Sequence, residues 1–181
     1  MPNAAMARRL ARITGALWLA VFVSGSLALF PGASDLATIA VAAASICYLG
    51  VCAGLFLLLR SIGPSLALTG ALCGVFGSLS GLLGMPSWAP VPALVWFGLH
   101  CGANGILIAR SGFLPRWIGY LLIFAAVGWL TFASPELARS LHPLNLVPGM
   151  LGEGAALLWL LFKGIDAHRW PSPSTHAMVT S

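Results

Sequence analysis

The chain has 181 residues, 59% of them hydrophobic and only 7% charged, where an average soluble domain carries roughly 25% charged. A soluble fold of this size must keep much of its surface in water, and these residues could not cover it. The net charge of +5 comes from basic residues standing singly or in small groups between apolar stretches. They form no basic patch interleaved with aromatics, so nucleic acid is excluded as the expected partner and a lipid bilayer takes its place.

A helix crossing about 30 Å of hydrocarbon at about 1.5 Å per residue needs around 20 apolar residues. Six segments meet that requirement. The first runs from Ile13 to Phe30 and closes at Pro31-Gly32. Its basic approach, Met6 to Arg12, also suits a signal peptide, but the apolar run is long for that role. The second spans Leu36 to Leu59 and ends at Arg60 and the Gly63-Pro64 turn. The third spans Ser65 to Gly84, before the proline-broken stretch Met85 to Pro92. The fourth spans Val91 to Ala109 and ends at Arg110. Gly112 and Pro115 then permit a tight reversal into the fifth, Leu114 to Ala133. After a polar loop, Ser134 to Pro143, the sixth runs from Leu144 to Phe162 and ends at Lys163.

The expected fold is therefore all-α, an integral membrane bundle of six transmembrane helices over residues 13–164. Residues 1–12 form a cytoplasmic amino-terminal segment. Residues 165–181 form a cytoplasmic tail expected to be disordered, most clearly from Pro171 onward. Orientation follows from the basic residues. With the amino terminus inside, cytoplasmic segments hold eight arginines and lysines, and the outer loops hold only Arg139. Both ends then lie in the cytoplasm, as for a multi-pass protein of a bacterial cytoplasmic membrane. Arg110 and Arg116 are expected to anchor the turn between the fourth and fifth helices at the membrane interface.

Within the spans, small residues recur four apart: Gly70, Gly74 and Ser78, Gly77 and Gly81, Gly50 and Gly54, and Gly98 and Gly102. That spacing lets helix backbones approach closely, inside one chain or across a homo-oligomer. The four cysteines lie in apolar stretches without a CxxC pair and are expected to be small packing residues, not metal ligands.

Only two acid or base side chains lie deep in the bilayer, His100 and Glu153. Each precedes a basic residue at its helix's inner end by ten positions, Arg110 and Lys163 respectively. Both therefore sit roughly 15 Å above the inner boundary, near the midplane. An ionisable group there costs about 2.5–3.5 kcal/mol on insertion scales and calls for a reason. Asn104 one turn below His100, and Met150 one turn above Glu153, complete a candidate ligand-binding set. One reading is a polar pocket that binds or moves a small molecule. The other is a structural or accessory subunit whose polar pair only fixes helix packing. Catalysis lacks a motif, with no HExxH, no GxSxG and no aspartate pair inside the membrane, and no cofactor is expected.

Three stretches carry a family resemblance. They are Phe97-Gly-Leu-His-Cys, Arg110-Ser-Gly-Phe-Leu-Pro-Arg-Trp-Ile-Gly-Tyr-Leu-Leu, and Gly152-Glu-Gly-Ala-Ala-Leu-Leu-Trp-Leu-Leu-Phe-Lys-Gly. Together with the opening Ala11-Arg-Ile-Thr-Gly-Ala-Leu-Trp-Leu, this resembles the bacterial membrane family known as domain of unknown function 4386, most closely over residues 95–164. The resemblance implies a multi-helix integral membrane protein and supplies no substrate. It places His100, Glu153 and the Arg110 to Arg116 turn within family-like sequence.

Overall fold

The computed structural model describes residues 4–27, 34–83, 91–166 and 168–170. Among these, the chain forms helices and no strand. The helices are α1 (Ala4–Leu27), α2 (Ser34–Leu59), α3 (Pro64–Leu82), α4 (Ala93–Ser111), α5 (Arg116–Leu130), α6 (Pro135–Leu141) and α7 (Val147–Phe162). All except α6 belong to segments long and apolar enough to cross a membrane. The two shortest, α5 and α7, reach that length through 3-10 turns at Thr131–Ala133 and Leu144–Leu146. The six expected spans are therefore present, and the all-helical membrane bundle stands.

The spans form a closed ring. Each packs on its neighbour in sequence from α1 to α5, α5 packs on α7, and α7 returns to α1. The outer face of that ring is apolar. Ile39 is 66% exposed, Val127 60% and Phe124 49%. A soluble bundle would place polar side chains there, whereas lipid accepts these without cost.

Small residues set the approach distances inside the ring. Gly70, Gly74, Gly77 and Ser78 are buried where α3 meets α4. A Cβ on Gly74 would stand 2.6 Å from His100 Nδ1, too close for any real contact. Gly98 of α4 faces Trp129 and Leu130 of α5, and Gly54 of α2 faces Thr14 of α1. These contacts join helices of one chain, so the small-residue spacing has an intrachain use.

The ends of the helices differ from expectation in three places. First, α1 begins at Ala4, well before Ile13. Ala7, Ala11, Thr14 and Trp18 form one buried stripe along it, while Arg8, Arg9 and Arg12 are exposed. Arginine ends an apolar window but is a good helix former, so the charges bound the apolar run and not the helix. Second, the loop after α5 contains α6, capped by Ser134 Oγ accepting from Leu137 N at 3.3 Å. Asn145 Nδ2 donates to Thr131 Oγ1 at 3.1 Å and holds that loop closed. Third, the expected disordered tail starts too early. Ile165 and Trp170 are buried, Asp166 N donates to Phe113 O at 3.0 Å, and Trp170 packs edge-on to Phe113 at 4.7 Å. Two large apolar side chains and a backbone bond dock this stretch on the α4–α5 turn. The segment 171–181, like Pro31-Gly32 and most of Met85 to Pro92, lies outside the described residues.

The α4–α5 reversal forms as its residues require. Gly112 ends α4 with φ 73°, a left-handed conformation that glycine adopts without a steric penalty, and Pro115 opens α5.

Candidate functional site

Both deep ionisable groups lie in the interior of the ring. His100 is 0% exposed and Glu153 5%. On α7 the buried stripe is Gly149, Gly152, Glu153, Ala156, Leu157 and Leu160, the 3.6-residue pattern of one inward face. Glycine at 149 and 152 admits Trp129 and the α5 backbone near Leu121 against that face.

Glu153 is a bonding node between four helices. Trp18 Nε1 of α1 donates to its Oε2 at 3.0 Å, and Trp129 Nε1 of α5 donates to its Oε1 at 2.7 Å. Cys101 Sγ of α4 adds a weaker contact to Oε1 at 3.6 Å. A carboxyl has acceptor sites on both oxygens, and an indole has one N–H that needs an acceptor when buried. Each group therefore satisfies the other in a region with no water to do it.

His100 has a different environment. Its Nδ1 lies 2.8 Å from the Gly70 carbonyl of α3. A carbonyl only accepts, so Nδ1 carries the hydrogen, and on the neutral ring Nε2 becomes a bare acceptor. That Nε2 is buried and has no hydrogen-bond partner among the described residues. Asn104 is buried, with Nδ2 donating to the His100 carbonyl at 2.8 Å along their own helix.

Tyr48 of α2 stands between these two groups. Its ring meets Trp18 edge-on at 6.5 Å and His100 at 5.4 Å, and it lies 4.6 Å from the Phe97 ring. Its hydroxyl is also buried without a hydrogen-bond partner among the described residues. The cluster thus draws a group from every span: Trp18, Tyr48, the Gly70 carbonyl, His100, Trp129 and Glu153.

The expected site residues do not all meet. No hydrogen bond joins His100 to Glu153 among the described residues, and Tyr48 and Trp18 link them through ring contacts instead. Met150 lies outside the buried stripe of α7 and is 55% exposed. Arg110 and Arg116 are exposed at one end of the bundle, on either side of the Gly112 turn. Sequence reasoning did not assign Tyr48, Trp18, Trp129 or Cys101 to the site. The usable signal was depth, because an indole N–H or phenol hydroxyl far from both interfaces needs a partner as much as a histidine does.

Comparison with known proteins adds a partial family match and no activity. Residues 82–164 match the model of the family described as Domain of unknown function (DUF4386), the one the sequence resembles. That stretch includes His100, Cys101, Asn104, Trp129 and Glu153, but not Trp18 or Tyr48. An uncharacterized protein of Archaeoglobus fulgidus is 33% identical over 73 residues, covering 39% of this chain and 43% of that relative. The match thus spans less than half the length of that curated relative. No solved structure matches the chain.

Proposed function

We propose, on the premise that residues 82–164 resemble a membrane family of unknown function, that this multi-pass protein binds or moves a small polar molecule inside its helix ring. The observation that carries the reading is the pair of unpartnered polar atoms, Tyr48 Oη and His100 Nε2, on rings 5.4 Å apart. A buried polar group left without a partner costs about 1–3 kcal/mol, so two in one cluster make a poor packing solution and a good binding one. The chemistry of the two atoms defines the guest. It donates to a bare imidazole nitrogen and accepts from a phenol hydroxyl, as an alcohol, a carboxylic acid or an amide does. Glu153 then acts as scaffold: it holds the two indoles and does not itself face the guest. Asn104 supports the binding set from its place beside His100, and Arg110 and Arg116 anchor the ring at the cytoplasmic side of a bacterial inner membrane, with both chain ends inside.

The second reading rests on Glu153 itself. Donors from three other helices converge on it, which is what a subunit needs to fix its packing.

Tyr48→Phe separates the two, because the sign of its effect differs. If a guest bonds the hydroxyl, native mass spectrometry of the purified protein shows a small-molecule adduct on wild type that Tyr48→Phe loses. If the hydroxyl has no partner, removing it stabilises the bundle by about 1–3 kcal/mol and no adduct changes. That second outcome hands the function to the structural reading.

A further inference from the structure

A second site lies at the arginine-rich end of the ring, away from the polar cluster. There the α4–α5 turn, the end of α7 and the docked stretch after it line an open cavity of about 640 Å³. Three cations line it, Arg116, Lys163 and Arg169, against one acid, Asp166. Asp166 Oδ2 is paired with Arg169 Nε at 3.5 Å, and Asp166 Oδ1 accepts from His168 N at 3.0 Å. No ion pair or hydrogen bond engages the Arg116 guanidinium or the Lys163 ammonium among the described residues. The cavity therefore has a net charge of +2 (three cations less one acid) with two cations uncommitted.

Two further features point to an anion. Pro115 and Arg116 bring the amino end of α5 to the cavity; that 15-residue helix has no side-chain cap and Ile118 N turns back to Pro115 O at 3.1 Å, which leaves the Arg116 and Trp117 N–H groups as donors. Trp159 also lines the cavity and meets Trp117 edge-on at 5.7 Å, with Trp117 48% exposed. Tryptophans in that arrangement mark the boundary between headgroups and hydrocarbon. The cavity thus offers positive charge at the depth where phosphate groups of a bilayer lie.

From this juxtaposition the geometry points to a binding site for a phosphate-bearing group, held by Arg116, Lys163 and the amino end of α5. Arginine matches phosphate oxygens with a planar fork and lysine supplies a mobile point charge. The group can arrive on a lipid or on a soluble phosphorylated molecule, and the chemistry of capture is the same.

The full-length protein in nanodiscs containing phosphatidylglycerol and phosphatidylcholine tests this, with retained lipid read by native mass spectrometry and inorganic phosphate binding read by calorimetry. Preferential retention of phosphatidylglycerol identifies a lipid source. Binding of inorganic phosphate without lipid preference identifies a soluble one. Arg116→Gln and Lys163→Gln should each weaken whichever is seen by about fivefold, and together by about 30-fold. Asp166→Asn should strengthen it by about fivefold, a gain that misfolding cannot produce. Arg139→Gln, in α6 outside the cavity, should change nothing. Neither probe binding to wild type, or an equal loss with Arg139→Gln, overturns the site.

Discussion

Glu153 and His100 are both buried inside the same ring of helices, yet they solve the problem of burial in opposite ways. Glu153 brings in two indoles and a thiol from three other helices, so neither of its oxygens is left without a donor. His100 commits one nitrogen to a neighbouring backbone carbonyl and leaves the other without a partner, as Tyr48 leaves its hydroxyl. The contrast teaches that intramembrane polarity is not one signal. A group with all its bonds made is a fastener, whereas a group with an open valence is a place where something else can bind.

The largest test of this contrast is Glu153→Leu. It leaves two buried indole N–H groups without acceptors, at about 1–3 kcal/mol each, and should lower the unfolding free energy in detergent by about 2–6 kcal/mol. His100→Leu should cost less than half as much, because the Gly70 carbonyl keeps its place in the α3 helical ladder. If the histidine variant proves the more damaging of the two, the division into fastener and open site fails.

A smaller effect comes from Gly74→Ala. The new methyl would overlap His100 Nδ1 and Cys52 Sγ, forcing α3 and α4 apart at a cost of about 1–3 kcal/mol. It should also break the Nδ1 bond to Gly70, which a shift of the His100 imidazole resonances in solution NMR would reveal. An unchanged imidazole spectrum would mean that the small residues of α3 do not position the histidine.

The smallest effect sharpens the account of Glu153. Trp18→Phe and Trp129→Phe each remove one donor and should cost about 1 kcal/mol, within the range measured for hydrogen bonds between membrane helices. Thermal unfolding of the double variant should show coupling between them, since both act through one carboxyl. Strict additivity would indicate two independent packing sites.

The six spans were legible because lipid imposes a length and an apolar content on any helix that crosses it. The ends of α2 at Leu59 and of α7 at Phe162 coincide with the hydropathy boundaries, each followed by a basic residue. The start of α1 was not legible, because Arg8, Arg9 and Arg12 end the apolar window without ending the helix. In the site, counting residues from a basic anchor found two groups that are indeed buried, His100 and Glu153. It could not find their partners. Hydropathy counts Trp18, Trp129, Cys101 and Tyr48 as apolar and is blind to the one polar atom each carries. Rotation about the helix axis was also out of reach. Met150 sits three residues from Glu153, within one turn, yet the buried stripe of α7 passes it by.

Closure of the ring has a consequence in time. The bond from Trp18 to Glu153 joins residues 135 apart, across the seam between the first span and the last. At about 5–20 residues per second of synthesis, Trp18 is made roughly 7–27 seconds before its acceptor. Until then its N–H lacks the acceptor it has in the closed ring. The final helix therefore acts as a keystone: a chain that stops before Glu153 leaves the Trp18 and Trp129 indoles without their shared acceptor.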